Sequence, residues 1–413
     1  MTTRRTDLLF HAGGEAVEQY GTIVRKTLRD DDNGYTSTRS GAIGPYVDYD
    51  GVIRTAGANV PRIDWQDGDA YLLLEDSRTN LVSTDDLTAW TAVRTPTVTG
   101  SVSDPAGGTG AYTIDDSGAG DWEYIYHVVT FTGDSTTTAV FVVRENTMPA
   151  SGSQDLLVQD STAGAARLRL EITAWSNGEP TVSASTGTYL GKRKVGNGYW
   201  AIYGEATGVV VGNTNRLQIE PANSNSVSGS LDVYRANAYN DNAPGFSILD
   251  ASEARSADEF YAGFPYPPQE MTVYAQWHEA GTAFISGFPS IVEVGDSATD
   301  GTIQIRRDNS SGDGRYECVL QADGSQVSVS EPSATVTYGD SVEFVAQVAS
   351  SGSVTGVMSV NGAAIVTGSA GSTGTLPTSF TNDRVELGDA GVSAIRSVKV
   401  ARGIKTMAQM RAL

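Results

Sequence analysis

Between residues 90 and 240 apolar and polar side chains alternate in short runs separated by Gly, Ser, Asn and Asp. A period of two sends successive side chains to opposite faces of a strand, and Gly, Asn and Asp permit the tight turns between strands. The runs at 124–131, 138–143, 156–158, 167–172, 199–203, 216–219 and 231–234 therefore predict one antiparallel sandwich. Phe264-Pro265-Tyr266-Pro267-Pro268 follows, and because proline fixes φ and removes a ladder donor, 263–270 reads as a Pro-rich linker. Strand patterns resume at 271–277, 302–306, 315–320, 326–329, 341–348, 356–360 and 394–400, which predicts a second sandwich. Helical spacing is confined to Val17, Tyr20 and Val24, around 15–25, and to a closing turn for which Thr406 is the N-cap. The expected fold class is all-β: two tandem jelly-roll β-sandwiches, 87–262 and 271–413, joined by the 263–270 linker and preceded by a partly irregular N-terminal segment, 1–86.

Composition narrows this picture. A chain of 413 residues has the length of two or three ordinary domains, and 46 glycines fit many short strands and turns. A formal net charge of -21 sets the summed field against phosphate backbones and anionic lipid, so no nucleic-acid partner is expected. No apolar stretch approaches the length of a membrane span or a signal peptide, and no membrane insertion is expected. Cys318 is the only cysteine, which excludes an intrachain disulfide. It alternates with Tyr316 and Leu320 as a small core residue. Arg4, Arg5, Arg25, Lys26 and Arg29 make the first thirty residues locally basic, a feature suited to docking.

The stretch 35–81 carries more specific information. Thr38-Arg39-Ser40, a hairpin around Asp50-Gly51, Pro61-Arg62-Ile63-Asp64 and Leu73-Leu74-Glu75-Asp76-Ser77-Arg78-Thr79-Asn80-Leu81 follow in order. In that order and spacing the stretch resembles a segment of tailed-bacteriophage fibre, head-fibre and receptor-binding virion proteins. Trp90 stands where those proteins open a sandwich of carbohydrate-binding-module type, and the Asn197-Gly198-Tyr199-Trp200 hairpin resembles another of their features. The runs 271–277, 385–388 and 395–413 resemble concanavalin-A-like or laminin-G-like jelly rolls. The resemblance implies a virion structural protein, assembled in the host cytoplasm as a homo-oligomer, most often a trimer. It also implies that 1–86 attaches to other virion proteins while the distal sandwiches face outward to host-surface glycans.

Candidate chemistry is sparse. His11, His127 and His278 are far apart in sequence, and neither a Gly-x-Ser-x-Gly elbow, a phosphate loop nor a His-Glu-x-x-His motif occurs. No catalytic residue, cofactor or metal is assigned, and the expectation is that the protein is not an enzyme. The acidic runs Asp30-Asp31-Asp32-Asn33 and 64–69 are candidates for structural calcium, without EF-hand spacing. Arg62, Asp64, Glu75 and Arg78 read as an ion-pair clamp holding an irregular segment. Trp122, Tyr124 and Tyr126 alternate along one strand face, and with Tyr199 and Trp200 they are the candidate saccharide platform, with Asp121 and Glu123 as polar neighbours. Glycan binding by a fibre or spike is the leading function. A purely architectural decoration, minor capsid or tail protein without ligand is the second, and a glycan-degrading tailspike the third.

Overall fold

The computed structural model describes residues 6–11, 35–39, 44–66, 69–75, 77–117, 122–132, 135–224, 227–240, 248–255, 257–263, 270–279, 289–296, 300–308, 315–322, 325–337, 339–369, 371, 376, 384–388 and 393–412. The chain forms two compact units. A central unit comprises Ile43–Thr55 and Ser77–Arg255; a terminal unit comprises Met1–Ala42, Ala56–Asp76 and Ser256–Leu413. Both are antiparallel β-sandwiches, and the all-β expectation holds. Among the described residues the only α-helix is Met407–Arg411. The expected helix at 15–25, the acidic run 30–33 and Phe264 to Gln269 of the linker lie outside the described residues.

In the central unit one six-stranded sheet runs Thr188–Lys194, Trp200–Val209, Ser135–Thr147, Gly229–Tyr239, Ala111–Asp116, Thr97–Val102. The other runs Glu179–Thr186, Ala165–Ser176, Gln154–Asp160, Asn215–Glu220, Tyr124–Val129, Thr91–Val93. Ile125, Leu156, Val158, Leu170, Leu217 and Ile219 of the second sheet meet Phe141, Val143, Ile202 and Val233 of the first in a single core, joined by Trp90 at its opening. The Asn197-Gly198 turn is present, with φ of 54° and 76° at the two residues, values that glycine and asparagine tolerate best. The hairpin at Asp50-Gly51 forms differently from the two-residue turn expected. Only Gly51 is left-handed, and Asp48 closes a wider loop by accepting from the amides of Asp50 and Val52 at 3.0 and 2.9 Å.

The terminal unit corrects the expected domain boundaries. Its eight-stranded sheet is built around Ser393–Arg402, which pairs on one side with Met271–Glu279. On the other side it pairs with both Asp69–Leu74 and Thr6–His11. A seven-stranded sheet packs across the core. Residues 1–86 are therefore not a separate segment: Leu72 and Leu74 sit in the same core as Trp277, Tyr316, Cys318 and Ile395. The apolar run at 71–74 drives this, because each buried aliphatic side chain contributes roughly 1.5–3 kcal/mol. The C-terminal helix starts at Thr406 as expected, in a capping box with Gln409, and lays Met407 and Met410 on Tyr274 and Val345. Lys399 Nζ donates to the Met410 carbonyl at 2.9 Å and so closes the far end.

Of the four residues of the expected clamp, Arg62 and Glu75 pair directly. Arg62, fully buried, donates to Glu75 Oε2 at 2.7 Å and also to Asp258. Asp258 in turn accepts from Arg39 at 2.9 Å and from the Glu75 amide at 3.1 Å. Arg39 reaches the Ala56 carbonyl at 3.1 Å. Burial alone would push the Arg62 guanidinium down; the flanking Glu75 and Asp258 carboxylates outweigh that and hold it above its ordinary value. Asp64 is buried on the same strand as Arg62. Arg78 belongs to the central unit, where its guanidinium lies 4.9 Å from the Tyr239 ring centroid. Replacing Arg62 by Ala strips this cation from buried Glu75 and leaves Asp258 with Arg39 alone, and denaturant unfolding is expected to show a loss of about 3 kcal/mol or more.

Candidate functional site

The register of the second central sheet gives each strand a core face and an outward face. Leu156 pairs with Ile219 and Val158 with Leu217, all in the core. Their alternates, Asp155 opposite Glu220 and Leu157 opposite Gln218, consequently point away from it. Asp155 is also opposite Glu171, and Leu157 opposite Arg169. On the other flank Tyr126 is opposite Gln218 and Val128 opposite Arg216, while Tyr124 lies at the level of Glu220, one position beyond the Ile125 and Ile219 pair. Three carboxylates thus stand side by side on adjacent strands, with tyrosines at one end and arginines on the next rows.

This outward face is not a plain solvated surface. Asp155, Leu157 and Glu220 are 0–1% exposed although none faces the core. Burial pushes the Glu220 carboxyl up to about 7, and the neighbouring Asp155 charge adds to the rise. Burial likewise pushes Asp155 up to about 6, with Ser153, Arg169 and Asn223 opposing the shift and Glu171 reinforcing it. Asp155 accepts from Ser153 Oγ at 2.5 Å, from Asn223 at 2.7 Å and from Arg169 at 3.0 Å. Glu220 receives only Gln218, on Oε1. Its Oε2 has no hydrogen-bond partner among the described residues. Glu171 accepts from Ser185 Oγ at 2.7 Å.

The aromatic candidates divide. Tyr124 and Tyr126 are half-buried on this face, with ring centroids 6.4 Å apart. The Arg216 guanidinium sits 4.3 Å from the Tyr126 centroid. Trp122 precedes the strand and is 48% exposed. Its neighbour Glu123 is occupied in holding the loop, accepting from Thr95 and from the Ser117 amide at 2.8 Å each; Asp121 lies outside the described residues. Tyr199 and Trp200 do not join the platform. Tyr199 is fully buried, donates to the Ser103 carbonyl at 2.9 Å and lies 4.6 Å from the Arg144 guanidinium. Trp200 packs against the central core and donates to the Gly178 carbonyl at 2.7 Å. Both lie at the hairpin leading into the other sheet of the sandwich, Tyr199 wholly buried and Trp200 half-buried with Lys192 Nζ 5.3 Å from its ring centroid, and so apart from the Tyr124 and Tyr126 face.

Asp155, Gln218, Glu220, Arg169 and Arg216 were not singled out by sequence reasoning. Their signal was the alternation of polar with apolar residues in Arg216-Leu217-Gln218-Ile219-Glu220, and the polar Asp155 and Gln159 flanking the apolar 156–158. Alternation shows that such residues face outward, but only the pairing shows that they face one another. The histidines are structural: His127 pairs with Ser83 Oγ at 2.9 Å, and His278 Nδ1 donates to the Gly339 carbonyl at 3.2 Å. The side chain of His11 lies outside the described residues. Among the described residues no group of three His, Cys, Asp or Glu could hold a metal ion. Of the acidic run 64–69, Asp64 is buried and Asp69 pairs with Arg396 at 2.6 Å.

No protein-family model matches the chain, and no curated protein matches it. Solved structures similar to it include the tail fibre protein gp63.1 of an E. coli phage, at 8% identity over 97% of this chain with a TM-score of 0.20. The chain spans 42% of that protein. A second comes from a study of botulinum neurotoxin type C, whose cell entry depends on two ganglioside molecules. It is 9% identical over 75% of this chain and 98% of its own, with a TM-score of 0.22. At TM-scores this low neither likeness bears on the function of this chain.

The raised carboxyls set a pH dependence of stability. With a folded value of about 7 against an ordinary value of 4.5, Glu220 keeps its proton in the folded state where the unfolded chain has lost it. Folded protein then binds more protons between those two values, and stability falls as pH rises through that window. Asp155 acts in the same sense between 3.8 and about 6. Glu220→Gln removes this ionisation. Thermal melts from pH 4 to 8 are expected to be flatter than wild type, with the variant the more stable at pH 8 by roughly 1–3 kcal/mol.

Proposed function

We propose that this chain is a virion structural protein of a tailed bacteriophage, a fibre or spike component that binds host-surface saccharide on the outward face of the Tyr124–Val129 sheet. The observation that carries the binding reading is the aromatic end of that face, where the exposed Trp122 precedes the half-buried Tyr124 and Tyr126 and the Arg216 guanidinium lies 4.3 Å from the Tyr126 ring centroid. Aromatic rings supply flat apolar area at small entropic cost, and a guanidinium beside them can donate hydrogen bonds to sugar hydroxyls, so this pairing of groups suits a saccharide better than a purely apolar ligand. The virion reading rests on the ordered motifs of 35–81. Their Arg39, Arg62 and Glu75 pair with one another and with Asp258 inside the terminal unit.

A fibre presents several copies of each site, and weak single-site binding then becomes strong through effective concentration. Light scattering of the purified chain is expected to give a homotrimer; a monomer at micromolar concentration would count against the fibre assignment. Host-cell and glycan-array binding tests the ligand reading. Trp122→Ala and Tyr124→Ala are each expected to weaken the retained glycan about tenfold, roughly 1.4 kcal/mol, without lowering the melting temperature of the central unit. Binding without release of reducing sugar is the expected result. Silence on every surface would favour the architectural reading, and sugar release the tailspike reading.

A further inference from the structure

Asn-Gly pairs occur in the chain at 33–34, 177–178, 197–198 and 361–362, and the last three lie among the described residues. In each of these three both residues have positive φ, as a tight turn requires. Their carboxamides differ. Asn361 Nδ2 donates to Asp340 Oδ1 at 2.7 Å and its Oδ1 accepts from the Ser341 amide at 2.8 Å, so both ends are held. Asn197 Nδ2 donates to the Asp104 carbonyl, and Arg144 donates to the Asn197 carbonyl at 3.3 Å. Asn177 is exposed at the two-residue tip between Ala165–Ser176 and Glu179–Thr186, where Ser176 pairs with Glu179. Its side chain makes no hydrogen bond among the described residues. Its neighbour is equally open, since a Cβ at Gly178 would meet nothing within 4 Å. The same tip fastens the two sheets of the central unit together at one edge. Trp200 Nε1, from the other sheet, donates to the Gly178 carbonyl at 2.7 Å, while Lys192 pairs with Glu179 at 2.8 Å and donates to the Pro180 carbonyl.

We infer that Asn177 is a site of spontaneous modification, deamidating to an isoaspartate that loosens this edge of the sandwich. The Gly178 amide nitrogen, on losing its proton, attacks Cγ of Asn177. The new N–C bond closes a five-membered succinimide as the Cγ–Nδ2 bond breaks, and Nδ2 leaves as ammonia with the proton that the amide gave up. Water then opens the ring at either carbonyl, leaving an aspartate or, with the chain rerouted through Cγ, an isoaspartate. Glycine at 178 leaves the approach of the nitrogen unhindered. At Asn177 no carboxamide hydrogen bond has to be broken first, whereas Asn361 must give up two and Asn197 one. An isoaspartate lengthens the backbone between 177 and 178, and a two-residue turn cannot absorb that without carrying the Gly178 carbonyl off Trp200 Nε1. The inference is independent of the saccharide reading.

The decisive experiment is prolonged incubation of the whole chain at 37 °C, at pH 6 and pH 8, followed by peptide mass mapping that separates aspartyl from isoaspartyl forms. Asn177, Asn197 and Asn361 are read in the same digests. Isoaspartate is expected at 177 several-fold sooner than at 197 or 361, and sooner at pH 8 than at pH 6, because the amide must lose its proton. Asn177→Gln, which would need a larger and slower ring, is expected to abolish the change. With one anchoring hydrogen bond lost, the aged protein is expected to melt roughly 2–4 °C below fresh protein. Asn177→Asp adds the charge without rerouting the backbone and is expected to melt with the wild type. Conversion at 197 or 361 ahead of 177 would overturn the inference, as would an unchanged Asn177 in folded protein while the same residue converts in urea. Isoaspartate at 177 with an unchanged melting temperature would overturn the loosening of the sheet edge.

Discussion

The pairing register between Gln154–Asp160 and Asn215–Glu220 governs the central unit. With Leu156 set against Ile219 and Val158 against Leu217, aliphatic side chains fill the core and the alternating Asp155, Gln218 and Glu220 are forced outward. A slip of one residue would exchange the two sets and drive two carboxylates into the hydrocarbon interior, an arrangement no sandwich core could tolerate. The same constraint that makes the core therefore makes the outward row, and the row need not be selected separately for its charge.

That row shows how strand pairing alone can perturb a set of carboxyls. Cross-strand neighbours lie close enough for Glu220, Asp155 and Glu171 to sense one another, and burial denies them the solvent that would screen the repulsion. Protonation is the relief available to Glu220, whereas Asp155 is additionally steadied by Ser153, Asn223 and Arg169. Two chemically similar carboxyls thus differ in readiness to give up a proton, because one has three hydrogen-bond donors and the other has one. Tyrosines at the end of the row give it an apolar floor beside the polar one.

The terminal unit uses buried charge differently. There Arg62 is enclosed by Glu75 and Asp258, and Arg39 completes the pairing of Asp258, so each charge has a partner and the cation stays fully ionised. Such a network adds little over an apolar alternative of equal volume, but it is unforgiving of the loss of one member. Its value here lies in geometry: it ties strands from residues 35–38, 62–66 and 69–74 to the strand Glu259–Gly263, nearly two hundred residues later.

Much was legible in the sequence because it is local. Alternation gave the strands, Asn197-Gly198 the tight turn, Thr406 the helix cap, and the Tyr316, Cys318, Leu320 spacing a shared core face; each depends on neighbours a few residues apart. The sequence also nominated Arg62 with Glu75, and Tyr124 with Tyr126, since these pairs lie on the same or adjacent strands. Tertiary structure decided what depends on pairing between distant strands. It brought Asp258 to Arg62 across 196 residues and set Glu220 against Asp155. It also drew the first 76 residues partly into the sandwich formed by the last 158, and turned Tyr199 inward. Periodicity states which face of a strand a residue occupies; only the register of two strands states what it faces, and that choice is made by the whole core at once.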